Sequence, residues 1–112
     1  MEITRVKETL PGKNSHGVET RKIYDHENAL AVHLTLKPGE SLRRHITPVD
    51  VFFYVLSGKG VVEIGDEKHE VEEDTIIHSP AKLLHCWYNE SDEDMRVLIA
   101  KTPKPSEKTV LL

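Results

Sequence analysis

Seven histidines and one cysteine hold most of the sequence's capacity for chemistry: His16, His26, His33, His45, His69, His78 and His85, with Cys86 beside the last. A single thiol excludes an internal disulfide and every cysteine-based zinc motif. Imidazole nitrogens could hold a transition metal instead, a donor that suits zinc, iron, nickel and copper. His78 lies on a short apolar run, where alternation puts Ile76 and His78 on one face and Thr75, Ile77 and Ser79 on the other. One of those faces must be interior. His16, His26 and His69 read as surface residues, and His33 as facing solvent or a subunit contact. Of the adjacent Arg43 and Arg44, one reads as solvated and one as covering apolar surface. Cys86 reads as a small buried residue rather than a nucleophile, and Tyr54 as a packing residue. No Ser-His-Asp order, phosphate loop or paired catalytic carboxylates stands out.

The elements that position these side chains are strands. Pro11-Gly12, Gly17, Pro38-Gly39, Pro48, Gly58, Gly60, Gly65-Asp66 and Pro80 punctuate the chain at short intervals. Ala29 to Lys37 alternates, with Leu30, Val32, Leu34 and Leu36 on one face. Val51 to Leu56 is continuously apolar and suits a strand buried on both faces. Val61 to Ile64, Gly65-Asp66-Glu67 and Lys68 to Val71 predict a hairpin. Thr75 to His78 and Met95 to Lys101 predict two more strands. Leu83 to Tyr88 passes for a helical turn, and nothing else shows a helical period. Regularly spaced short strands indicate an all-β sandwich or barrel. The organisation expected is one domain: residues 1–28 as N-terminal strands and turns, 29–102 as the barrel core, and 103–112 as a surface tail. The apolar Val110-Leu111-Leu112 docks on the body or on a partner.

Two stretches carry a family resemblance. Gly39, His45 and Gly58 stand in the register of the first cupin motif, G-x5-H-x-H-x3,4-E-x6-G. Thr47 replaces its second histidine, and Val51 stands where its glutamate falls. In the second motif, G-x5-P-x-G-x2-H-x3-N, Pro80, His85 and Asn89 match, while Asp74 and Lys82 occupy the two glycine positions. The chain therefore resembles small single-domain cupins from about Leu30 to Lys101. The resemblance implies an all-β cupin jelly-roll barrel, a double-stranded β-helix with a central cavity. It also implies a divalent transition metal (Zn, Fe, Ni or Mn), of whose four ligands only His45 and His85 remain. If His78 points inward, it supplies a third imidazole. Thr47, Val51, Phe53 and Trp87 are expected to line the ligand cavity.

The functional expectation is a small-molecule-binding cupin that acts on or senses a sugar or small carboxylate through a histidine-held metal. As an enzyme it would be of the isomerase or dioxygenase type. The alternative is a metal-free binding or regulatory barrel without catalysis. Lys+Arg 15 against Asp+Glu 19 gives a net charge of −4, which argues against a nucleic-acid binder. No apolar run approaches a membrane span and no signal peptide is visible, so a cytoplasmic compartment is expected. The family resemblance and an apolar sheet surface together imply a homodimer. Few amides among many Lys and Glu match the composition of thermophile proteins.

Overall fold

Ten strands form two five-stranded sheets, and the inward apolar side chains of the inner strands of each enclose one core. The computed structural model describes residues 1–106 and 110–111. The strands are β1 (Glu19–His26), β2 (Ala29–Leu36), β3 (Ser41–Ile46), β4 (Asp50–Ser57) and β5 (Lys59–Ile64). They continue with β6 (Glu67–Glu72), β7 (Ile76–Ser79), β8 (Leu84–Tyr88), β9 (Met95–Thr102) and β10 (Val110–Leu111). Among the described residues the sole helical element is a 3-10 turn at Val6–Glu8, and no helix is long and apolar enough to cross a membrane. One sheet runs β1-β2-β9-β4-β7 and the other β10-β3-β8-β5-β6. Their strand pairs are antiparallel. This is the jelly roll expected from the motifs.

The core forms where the inner faces meet. Leu34, Leu36, Phe53, Val55 and Val97 from the first sheet pack with Leu42, Val62 and Trp87 from the second. Phe53 and Trp87 meet edge to face, with ring centroids 5.3 Å apart. Each such side chain contributes roughly 1.5–3 kcal/mol on burial.

Several expectations need correcting. The β4 run is not buried on both faces: Val51, Phe53 and Val55 are buried while Phe52, Tyr54 and Leu56 are half-buried. On the outer face, the part of the sheet that β4 occupies is only partly covered. Tyr54 accordingly leaves the core and donates from Oη to Asp74 Oδ1 at 3.0 Å. Leu83 to Tyr88 is not a helical turn, because β8 is a central strand paired to β3 on one side and β5 on the other. The third strand from the N-terminus, β3, escaped the sequence reading. Its alternation is broken by an irregularity between Leu42 and His45, where Arg43 and Arg44 are both exposed.

The degenerate motif positions keep their backbone. Asp74 and Lys82, which replace glycines, adopt left-handed φ values of 64° and 68°. Asn89 is buried, and its Nδ2 donates to Leu36 O and Glu93 O at 2.8 and 2.7 Å. It thereby ties the end of β2 to the β8–β9 connection.

Candidate functional site

Cross-strand register brings the inward side chains of β3, β8, β4, β2 and β9 around one cavity of about 310 Å³. His45 and His85 face each other across β3 and β8, with Nε2 atoms 2.9 Å apart. His45 Nδ1 lies 2.6 Å from Arg43 O, so Nδ1 carries the proton and donates. Nε2 of His45 must then accept, and the proton between the rings belongs to His85 Nε2. His85 Nδ1 in turn accepts from Ser79 Oγ at 2.7 Å. Thr47 Oγ1 sits 3.2 Å from His85 Nε2. The resulting chain, Ser79 to His85 to His45 to the Arg43 carbonyl, is closed and neutral.

A third histidine joins the wall. Asn14 organises the loop before β1, donating from Nδ2 to Val18 O at 2.7 Å and accepting the His16 N–H at 2.9 Å. This turn lays the His16 ring edge-on to His45, at 4.9 Å between centroids. His16 Nδ1 accepts the Arg43 N–H at 2.9 Å, so the neutral ring carries its proton at Nε2. His16 is thus a cavity residue rather than the surface residue expected. The Asn-Ser-His-Gly turn signature at Asn14 to Gly17 was the available cue.

Burial sets the protonation of the group. His85 is pushed down to about 3, first by burial and then by the charges of His45, Lys101 and His16. His16 falls to about 4, again chiefly through burial, then through His45, Arg43 and Lys101. His45 is lowered by burial, against the opposing pull of its bond to the Arg43 carbonyl. All three rings are neutral at pH 7.

Val51 and Phe53 are among the residues that line the cavity. Thr47 and Trp87 lie behind it. Thr47 reaches the cavity through His85. Trp87 pairs with Leu42 and Val62 deeper in the barrel and packs under Phe53. His78 is not a member of the cluster. The inward face of β7 carries Ile77 and Ser79, and His78 is exposed. It borders a separate depression with His69, Ile64 and Leu83. His33 is on the outer face of β2 but is not solvated: it is 3% exposed, and its Nε2 accepts from Arg96 Nε at 3.0 Å. Cys86 is buried, and burial raises its thiol pKa, which makes it unreactive.

Lys101 was not anticipated. It pairs in register with Leu30 on β2 and Val51 on β4. Both partners line the cavity, so Lys101 projects inward with them. Burial, then the neighbouring Lys22, lowers its pKa. Among the described residues no carboxylate forms an ion pair with it, and the lining contains no Asp or Glu.

These residues do not fit the divalent metal that the motif resemblance implies. Two imidazoles fall short of the three or four protein ligands a transition-metal site needs. The lone pair of His45 Nε2 and that of His85 Nδ1 are already occupied by hydrogen bonds. His16 turns its lone pair to the backbone. Among the described residues no group of three or more His, Cys, Asp or Glu could hold a metal ion. Lys101 adds a cation to the same lining.

Known proteins repeat this architecture. A protein from Thermus thermophilus, TT1209, superposes with a TM-score of 0.81 at 26% identity, covering 94% of this chain and all of its own. The polyketide cyclase RemF from Streptomyces resistomycificus gives 0.86 at 16% identity, covering 100% of this chain and 85% of its own. KdgF from Halomonas sp. gives 0.83 at 18% identity, covering 93% and 96%. At these last two identities the likeness is one of fold alone. In sequence, the uncharacterized protein SCO3923 of Streptomyces coelicolor is 32% identical over 57 residues, which are 51% of this chain and 53% of that protein. The match thus spans about half the length of that relative. Residues 32–101 match the cupin domain as a family, and this range holds both degenerate motifs, the facing histidines and Lys101. The chain belongs to the cupin family.

Proposed function

We propose that this barrel binds a small carboxylate directly, through protein groups and without a resident metal. One observation carries the reading: Lys101 projects into a cavity that offers it no carboxylate. A buried cation without a counter-charge is costly, and an anionic ligand relieves that cost. Lys13 and Lys22 in the same lining add positive potential, and the proton on His16 Nε2 adds a donor. Leu30, Val32, Phe53 and Ile99 supply an apolar wall, so the ligand's body is aliphatic rather than a polyhydroxylated sugar.

Calorimetric titration with isobutyrate is expected to saturate at one ligand per chain, while glucose produces no heat. Lys101→Met should weaken isobutyrate roughly 10- to 100-fold, the worth of one charge-assisted hydrogen bond. Dialysis against Zn, Ni, Mn and Fe(II) in turn should leave substoichiometric metal, unchanged by His45→Ala. Stoichiometric metal that disappears in His45→Ala would overturn the reading in favour of a histidine-held centre.

The protein is proposed to act in the cytoplasm, where the lone, buried Cys86 is in keeping with a reducing compartment. It is proposed to act as a homodimer. Register aligns Ile76, Tyr54 and Leu98 in one row on the outer face of the first sheet, and Ile76 is 62% exposed. A second copy covers such a face. Light scattering should give twice the 12.8 kDa chain mass, and Ile76→Glu should give the single-chain mass.

A further inference from the structure

A barrel interior built from aliphatic side chains has little structural use for a primary amine. Lys101 follows Ile99 by two residues on the inward face of β9, between Leu30 and Val51. Its methylene stem can pack there, but its nitrogen enters the cavity that His16, His45 and His85 share. An amine held among apolar walls, close to other cations, spends more of its time uncharged and is nucleophilic. Burial and Lys22 both act in that direction here.

We propose that Lys101 forms a covalent imine with a small 2-oxo acid, which makes the cavity reactive toward carbonyl compounds. The inference rests on the carboxylate reading above and narrows its ligand. In a 2-oxo acid the carboxylate is bonded to the carbonyl carbon. Charge attraction that draws the carboxylate to Lys101 therefore brings the electrophilic carbon to the same nitrogen. Lys22 and Lys13 hold the carboxylate while Lys101 reacts as the free amine. The Nε2–H of His16 can donate a hydrogen bond to the carbonyl oxygen, while the proton that oxygen takes up comes from solvent.

The step balances without any further reactant. The ammonium of Lys101 loses one proton to solvent, and the nitrogen lone pair attacks the carbonyl carbon. The carbonyl π pair moves to oxygen, which takes up a proton and gives a carbinolamine. The nitrogen loses one more proton to solvent. The hydroxyl, protonated in turn, leaves as water and a C=N bond forms. The product is an iminium that carries one N–H and a single positive charge. Ammonium plus ketone has become iminium plus water, and the charge beside the carboxylate is kept.

The test is reductive trapping. The protein is incubated with 2-oxobutyrate and sodium cyanoborohydride, its intact mass is recorded, and the modified peptide is mapped. The expected result is one adduct per chain on Lys101, formed before any exposed lysine reacts, slowed by excess isobutyrate and absent from Lys101→Arg, which retains the charge and the fold. Adducts spread over the lysines in proportion to exposure, with Lys101 among the slowest, overturn the imine. Calorimetry keeps the two readings apart. If isobutyrate binds at one per chain and Lys101 is not trapped, the imine fails and the carboxylate site stands. If butanal traps Lys101 as fast as 2-oxobutyrate and isobutyrate does not bind, the amine is reactive but the carboxylate reading fails, and with it the 2-oxo acid.

Discussion

Lowering the pH from 7.5 to 4 is expected to remove several kcal/mol of folding stability, with the loss beginning near pH 6.5. The cause is the set of histidines held neutral inside the barrel. His85 titrates at about 3 in the folded protein and His16 at about 4, against ~6.5 in an unfolded chain. Between those values the unfolded state binds more protons than the native state, so unfolding becomes easier as pH falls. Stability is fully present above pH 6.5 and declines down to the folded values. At about 1.4 kcal/mol per pH unit, His85 alone accounts for on the order of 3 kcal/mol by pH 4. His16 is only partly buried and adds a smaller, solvent-screened share. Glu19 and Asp25, each lowered first by a hydrogen bond to Arg21 or Lys104, act in the same direction below the ordinary carboxylate range. Urea unfolding at half-unit pH intervals reads the slope directly. A midpoint that stays level from 6.5 to 4.5 would contradict the neutral cluster. Replacing His85 by Gln should flatten the profile over that interval, whatever it does to stability at pH 7.5.

Gly58→Ala is expected to destabilise the protein by at least ~3 kcal/mol, through strain and overpacking acting together. Gly58 has φ +79°, and an added Cβ would lie 2.6 Å from Asp94 O and 3.0 Å from Met95 Cα. Both obstacles are backbone, and the fully buried Met95 anchors that segment to the core. Gly39 is the control: its φ is +84°, but nothing lies within 4 Å of the Cβ position. Gly39→Ala should cost only the conformational term, roughly 1 kcal/mol. Guanidinium denaturation of the two variants separates the contributions, and equal losses would refute the steric argument.

These two glycines also show why the fold was legible. Gly39, Gly58, Pro80 and Asn89 each meet a local backbone demand, so their spacing survives where functional side chains have changed. Asp74 and Lys82 still hold the left-handed geometry of the glycines they replace. Alternation located β2 because leucine or valine recurs at every second residue on its inward face, and the β5–β6 hairpin because β6 is largely exposed. It failed at β3, where the irregularity puts two arginines side by side, and at β8, where neighbours on both sides bury successive residues. The site was harder to read. His45 and His85 were visible through the motifs, but the phase of β7 was not: with Ile on both faces, nothing in Thr75 to Ser79 says which points inward, and His78 went to solvent. His16 depends on a loop folding over the barrel mouth. Lys101 looked like the ordinary charged end of a strand, and only pairing with two distant strands reveals its direction.

The strand order has a further consequence, for the timing of synthesis. The middle strand of the first sheet is β9, whose neighbours are β2 and β4. A nascent chain thus finishes β2 and β4 some forty residues or more before the strand that joins them emerges (about 40–60 by sequence position). Until then the sheet exists only as two separate pairs, β1 with β2 and β4 with β7, and the apolar inner faces that carry Leu34, Leu36, Phe53 and Val55 lack the strand between them. Pairings of such long sequence separation close slowly. The ribosome-bound intermediate therefore holds this sheet as two unjoined pairs of strands, and chaperone engagement is expected in the interval before Met95 to Thr102 is released.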